Sequence, residues 1–455
     1  MAIDATEIKF GTDGWRAVVA DAFTFPNVRR VAAGIAEVAG GGPVLIGYDT
    51  RFIAKEFATE AGRVLTERGV EVIIAEEDAP TPVIAWTVVQ QGLKGALVFT
   101  ASHNPARYQG MKFIAEYGGP ALPEVTDRIE RAIPESVPPP TPVELREAPV
   151  RSAYVTHMLA EHLPPGNLVI VLDPMHGTGR RYLPALLGAQ GSRIRVVRDT
   201  PDPLFGGGMP EPLPAHLQPL IDAVQQDRAH LGLATDGDAD RFGAVDAGGR
   251  VLTANEVLAL LTAYLFEIGR SGRVVRTVAT THLLDRIASA HGQAVTEVPV
   301  GFKWIAREML RGDVLIGGEE SGGLSIGGHI PEKDGLLANL LIAQARAHWG
   351  RPLGSVLAGL HERYGASAAR RADHRVSPEV RSRVTGNLLR EPPGELAGTR
   401  VLEVDGKDGV RLSLDGGAWL LVRPSGTEPL VRIYAEAESD SRVDELLGAA
   451  TALLH

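Results

Sequence analysis

Short apolar runs alternate with stretches of helical periodicity along most of this chain. Residues 43–47 (PVLIG) and 70–75 (VEVIIA) flank an expected helix over 55–67, the order of successive βα units. The pattern restarts at Leu168 (LVIVLDP), with helices expected near 180–187 and 215–227 and a strand over 231–235. A third round opens with an amphipathic helix around 255–266, passes through strands near Val274 and Val314, and closes with a helix from Gly335 to about His348. After Tyr364 comes an arginine-rich stretch, then alternating runs at 410–414 and 419–422, a strand over 431–436 and a last helix over 441–454, which reads as a smaller α+β unit.

Residues 134–142 (PESVPPPTP) cannot sustain helix or sheet hydrogen bonding through their prolines and read as a stiff linker. Domains are therefore expected over 1–140, 150–250, 251–365 and 370–455. The first three share an element order, a divergent repeat without a residue-level period. A length of 455 residues also suggests three or four cores.

Each expected domain carries one polar, glycine-bearing loop directly after an apolar strand: TASHNP (100–105), TDGDADR (235–241), GEESGG (318–323) and RPSGTEP (423–429). In open α/β sheets ligands gather beyond strand carboxyl ends, so the four loops are expected to face one cleft.

Ser102 precedes His103, Asn104 and Pro105, a sequence that ends regular structure and suits a hydroxyl projecting from a tight turn. It is not a hydrolase elbow, because Thr100 stands where GxSxG needs glycine. Asp236, Asp238 and Asp240 alternate, so an extended loop turns three carboxylates to one side, and oxygen ligands alone select Mg²⁺, Ca²⁺ or Mn²⁺. An EF-hand is excluded by Arg241 and Ala247 at its sixth and twelfth positions. Glu319 and Ser321 offer acceptors and a donor to sugar hydroxyls. Arg423, Ser425, Gly426 and Thr427 combine a guanidinium fork, two hydroxyls and a permissive glycine amide, a cradle for a phosphate dianion. Singly, each loop also fits a plain turn; together they supply the parts for phosphoryl transfer on a sugar phosphate.

Composition narrows the partners. A formal charge of −10 argues against a general nucleic-acid binder. No segment approaches a membrane span or a secretion leader, so a cytoplasmic location is expected. There is no cysteine, which excludes thiolate chemistry. Seven lysines stand beside 39 arginines, and the motif lysines Lys112, Lys303 and Lys333 stand out because an amine, unlike guanidinium, can be tuned by burial.

The set resembles the α-D-phosphohexomutase family of phosphoglucomutases and phosphomannomutases over almost the whole chain. FGTDGWR (10–16), GYDTR (47–51), ASHNPARYQGMK (101–112), DPMHGTG (173–179), PVGFK (299–303) and GHIPEKDG (328–335) carry it, with the other three loops in order. The resemblance implies an α/β fold of four domains around a central cleft, three similar α/β domains with mixed sheets and a smaller α+β C-terminal domain. It implies that Ser102 is carried as phosphoserine and, with Asp236, Asp238 and Asp240, holds Mg²⁺. Arg16 and Lys112 then supply charge and acid/base function. Arg241, Lys303, Glu319, Ser321, His329 and Lys333 bind the substrate, and Arg423, Ser425, Gly426, Thr427 and Arg432 hold the unreactive phosphate. The activity implied is interconversion of hexose 1- and 6-phosphates of glucose or mannose through a hexose 1,6-bisphosphate, with phosphoglucosamine mutase, or a phosphatase or bisphosphate synthase, as alternatives. The partners expected are small sugar phosphates, with neither nucleic acid nor membrane, and the protein a monomer or homodimer. Lys112 is the preferred base, with His103 and His329 as competitors. Gly323 departs from the pattern, since many bacterial members have histidine there, and Gln109 stands where asparagine is common.

Overall fold

The computed structural model describes residues 8–11, 13–424 and 430–454. Its first sheet has six strands in the order Trp15–Val18, Tyr108–Ala115, Gly95–Phe99, Val44–Tyr48, Val72–Ala75, Arg146–Ala148. The second has five: Val251–Leu252, Phe242–Asp246, Leu231–Thr235, Val169–Asp173, Arg193–Val196. The third has four: Val295–Val298, Arg273–Thr277, Val314–Glu319, Gly323–Ile326.

A common unit that the residue pattern did not resolve links these three sheets. Gly95–Phe99, Leu231–Thr235 and Val314–Glu319 each pair in parallel on one side and antiparallel with the following strand on the other. Each signature loop is therefore the turn of an antiparallel hairpin. The central strands are buried along their whole length, which is why they read as continuous apolar runs rather than alternations.

The fourth sheet is antiparallel throughout, in the order Ala368–Arg375, Leu430–Ala437, Trp419–Pro424, Val410–Leu414, Thr399–Asp405, Glu395–Leu396. The arginine-rich stretch is thus its edge strand, followed by a helix Pro378–Arg390 that its weak apolar periodicity concealed. The helix Ala254–Glu267 is buried from Val257 to Phe266 rather than amphipathic, being sandwiched inside the protein. Among the described residues no helix is long and apolar enough to cross a membrane.

The strand Arg146–Ala148 lies beyond the proline-rich stretch yet pairs with Val72–Ala75, so the chain leaves the first sheet only after that strand. The next helix, Arg151–Glu161, carries the fully buried Tyr154 across domain lines. Its ring meets Trp86 edge-on, and its hydroxyl donates to Asp334 Oδ2 at 2.6 Å.

The third and fourth units meet over Val278, Ala279, Trp419, Leu421 and Tyr434, bordered by charge. Glu297 pairs with Arg276 (2.7 Å), Lys407 (3.2 Å) and Arg411. Burial alone would raise its carboxyl, but the bonds from Arg411 and Arg276 outweigh that and hold it at about 2. The depressed value means that this stabilisation is complete above the ordinary glutamate range and is lost as pH falls toward 2. Glu297→Gln is expected to destabilise the docked fourth unit by about 1–3 kcal/mol at pH 7. Urea unfolding followed by tryptophan fluorescence checks this, and the gap between variant and parent should shrink as pH is lowered through 4.

Candidate functional site

The serine loop is built on a buried arginine. Arg51 Nη2 donates to the carbonyls of Ser102 (2.7 Å) and Asn104 (2.6 Å), and Nη1 to those of Pro105 (2.9 Å) and Tyr108 (3.0 Å). Its Nε pairs with Asp49 Oδ2 at 3.2 Å, and Phe205 from the second domain covers the guanidinium at 4.9 Å. Five donors in a planar fork thus fix the loop, and lysine could not replace them. Ser102 sits at φ 48°, a left-handed turn position, but with only 1% of its surface exposed, so it is enclosed rather than projecting into solvent.

Ser102 Oγ donates to Asp236 Oδ2 at 2.7 Å, joining the first domain to the second. The acidic loop is a compact turn rather than extended, with Ala239 at φ 56°. Even so, ligand atoms of Asp236, Asp238 and Asp240 lie within 4.8 Å of one another, and all three residues are buried. Neighbouring elements clasp this turn. Thr81 binds Asp238 twice, through its N–H to the carbonyl (3.0 Å) and its hydroxyl to Oδ2 (2.6 Å). The Thr178 amide donates to the Gly237 carbonyl at 3.0 Å, and the Gly335 amide, opening a helix of the third domain, to that of Ala239 at 3.1 Å.

Lys112 Nζ lies 2.8 Å from Asp13 Oδ2, 3.0 Å from Asp238 Oδ2 and 2.9 Å from Asp240 Oδ2. Lys333 reaches the same Asp240 oxygen at 2.9 Å and Asp13 at 3.4 Å, and Arg16 approaches Asp13 at 3.3 Å. Burial disfavours charge on both lysines, but Asp13 with Asp238 and Asp240 around Lys112, and Asp13 with Asp240 around Lys333, outweigh it and raise both amines. Lys112 therefore sits among three carboxylates that favour its charged form. His329 is likewise committed, its Nε2 lying 2.8 Å from Asp334 Oδ2, the carboxylate that Tyr154 also binds. His103 differs: burial first, then Arg241, Arg16 and Lys112, keep its imidazole neutral, and Nδ1 stands 3.3 Å from Ser102 Oγ.

The donor set fits a hard divalent cation. Asp238 Oδ1 and Asp240 Oδ1 are buried without a hydrogen-bond partner, while the lysines occupy the Oδ2 atoms. Two unpartnered buried carboxylate oxygens are costly unless a cation meets them. The raised carboxyl of Asp236, caused by burial and then by Asp238 and Asp240, reports the same crowding of negative charge.

Around this centre Arg241 donates its amide to Asp236 Oδ1 (3.1 Å) and Nη1 to Glu211 (3.2 Å). Glu319, raised by burial, accepts from Ser321 Oγ at 2.7 Å. A Cβ at Gly323 would come within 2.4 Å of Lys333 Cδ, so glycine here makes room for the lysine stem that reaches Asp240. Lys303 is half-buried over the Trp304 ring, and burial lowers its amine despite nearby Asp13.

In the fourth domain Arg423 and Arg432 are direct cross-strand partners, and Arg423 Nε donates to Asp408 Oδ2 at 2.9 Å. Ser425, Gly426 and Thr427 lie outside the described residues. Sequence reasoning had given no role to Asp13, Arg51, Thr81 or Asp408. Asp13 and Arg51 stood inside quoted motifs, but nothing local marks which cation or carbonyl a side chain will meet; Thr81 and Asp408 carried no signal.

Family models described as phosphoglucomutase/phosphomannomutase alpha/beta/alpha domains I, II and III match residues 7–137, 152–249 and 253–364, and the C-terminal domain model matches 379–452. A "Probable phosphoglucosamine mutase" of Methanopyrus kandleri is 32% identical over 96% of this chain and 95% of its own length. The "Phosphoglucomutase/phosphomannomutase" of Thermococcus kodakarensis is 30% identical over 90% and 89%. The crystal structure of a "putative phosphomannomutase" from Thermus thermophilus superposes with a TM-score of 0.89 at 36% identity, covering 98% of this chain and 99% of that one.

Mg²⁺ is expected to raise the melting temperature, by the equivalent of about 2.7 kcal/mol at a hundredfold excess over its Kd. Asp238→Asn should abolish most of that shift in a thermal melt with and without EDTA.

Proposed function

Since the chain belongs to the phosphoglucomutase/phosphomannomutase family, we propose that it interconverts hexose 1-phosphate and hexose 6-phosphate, of glucose or mannose, through a phosphoserine at Ser102 and a hexose 1,6-bisphosphate. The observation that carries this reading is the contact of Ser102 Oγ with Asp236 inside a buried set of three carboxylates and two ammonium groups. Such a centre neutralises and orients a phosphoryl group without covalent help beyond the serine, which is what phosphoryl transfer asks of a protein.

In the forward half-reaction the P–Oγ bond of phosphoserine breaks as a sugar hydroxyl oxygen bonds to phosphorus, and the hydroxyl proton passes to a base. The candidates for that base are Lys112, His103 and His329, of which His103 has Nδ1 3.3 Å from Ser102 Oγ, while Lys112 and Lys333 contact Asp240. Asp236, Asp238 and Asp240 would hold Mg²⁺, which supplies charge stabilisation to the phosphoryl oxygens when bound. Arg16, whose Nη1 donates to Asn104 Oδ1 at 2.7 Å, is fixed at the rim of the serine loop. Glu319 and Ser321 would grip sugar hydroxyls, and the Arg423–Arg432 pair would face the phosphate that is not reacting. The bisphosphate then reverses and returns its other phosphate to Ser102.

Glucosamine phosphate is a second substrate to test, because relatives of similar identity carry that name. Gly323 sets the question, since its missing side chain is replaced by the stem of Lys333 rather than by a group able to face the sugar.

The deciding assay supplies glucose 1-phosphate, mannose 1-phosphate and glucosamine 1-phosphate separately, with Mg²⁺ and glucose 1,6-bisphosphate, and identifies products by NMR. Formation of the 6-phosphate is expected; inorganic phosphate as sole product would make the enzyme a phosphatase. Ser102→Ala should lower kcat on the order of a thousandfold or more, and intact mass should show one phosphate on the parent and none on the variant. Gly323→His should displace Lys333 and change the ratio of kcat/KM values among the three sugars, read in the same assay.

A further inference from the structure

We propose that Asp408 is the positioning residue of the distal phosphate fork, setting the plane of Arg423 and tying it to the third domain. The inference rests on the reading of Arg423 as a phosphate ligand. Asp408 lies in the four-residue turn 406–409 between the strands Thr399–Asp405 and Val410–Leu414. That turn reaches out of the fourth domain: Lys407 on one side of Asp408 and Arg411 beyond it both pair with Glu297 of the third domain.

One atom does two jobs. Asp408 Oδ2 accepts from Arg423 Nε at 2.9 Å and from the backbone amide of Val300 at 2.8 Å. Val300 leads directly into Gly301 and the helix Phe302–Leu310, whose second residue is Lys303 and whose Phe302 ring lies 5.7 Å from Lys333 Nζ. The arginine of the fourth domain and the turn that launches the third domain's helix Phe302–Leu310 thus share a single acceptor.

The turn is also pressed against the arginine backbone. Gly409 has φ 87°, and a Cβ there would fall 2.6 Å from the Val422 carbonyl oxygen and 3.0 Å from Arg423 Cα. The close approach of Gly409 to the Val422–Arg423 backbone therefore seats Asp408 beside Arg423. A guanidinium pinned through Nε has its plane fixed, and a fixed plane is what bidentate capture of a phosphate needs. Without Asp408 the arginine keeps its charge but loses its orientation, and the two domains lose one bond that spans them. The loss should therefore weaken ligand binding more than it slows the chemistry.

The test is steady-state kinetics with glucose 1-phosphate on the full chain, alongside calorimetric binding of glucose 6-phosphate to the Ser102→Ala protein. Asp408→Ala is expected to raise KM and Kd about tenfold with kcat within about threefold of the parent. Asp408→Asn keeps an acceptor oxygen and should recover part of that loss, which guards against a folding defect in the alanine variant. Arg423→Gln should raise KM at least as much, and adding Asp408→Ala to it should cost little more. An unchanged KM and Kd in Asp408→Ala while Arg423→Gln raises both would overturn this proposal and leave the phosphate fork standing. A full tenfold further loss in the double variant would also overturn it, because the aspartate would then act apart from the arginine. Arg423→Gln with parental KM and Kd would instead remove the fork reading on which the proposal stands.

Discussion

Two lysine ammonium groups, Lys112 and Lys333, share the Oδ2 atom of Asp240 and the Oδ2 atom of Asp13, and all but Asp13 are almost wholly withdrawn from solvent. Such charges are tolerable inside a protein only when each has a close opposite partner. The partners here come from different domains: Asp13 and Lys112 from the first, Asp238 and Asp240 from the second, Lys333 from the third. Removing any one leaves fewer opposite charges for the buried groups that stay. The relative placement of three domains is therefore tied to the charge balance of one site, and the carboxylate oxygens left over, Asp238 Oδ1 and Asp240 Oδ1, are those that suit a metal ion.

The rest of the architecture serves that balance. Arg51 spends its hydrogen-bonding capacity on the serine loop rather than on a ligand, which makes the position of Ser102 a property of the core. Thr81 at a helix start, and the amides of Thr178 and Gly335, hold the acidic turn from three sides. Tyr154 and His329 converge on Asp334, whose other oxygen caps the helix beginning at Gly335. The fourth domain attaches differently, through an apolar patch around Trp419 and a rim of ion pairs centred on Glu297.

Element order, the α/β character of three units and the four chemical loops were legible in the amino-acid order because each depends on local pattern. Buried strands show as apolar runs, and carboxylates, hydroxyls and glycines cluster where strands end. Alternation in the aspartate triplet suggested an extended loop, yet the chain bends at Ala239 and the carboxylates converge all the same. The edge strand Ala368–Arg375 was hidden because its exposed positions are all charged, three arginines and Asp373, and its partner lies far along the chain.

What the sequence determined by itself was the inventory: a serine, three aspartates, a glutamate–serine pair and an arginine fork, each placed after a strand by short-range physics. Tertiary structure alone decided which of these groups meet. Lys112 came to lie among Asp13 and two aspartates from another domain, His329 came against Asp334, and His103 came to be buried among Arg241, Arg16, Lys112 and Arg51. Protonation and orientation depend on charges brought within a few ångströms from distant parts of the chain, and no local pattern encodes those distances.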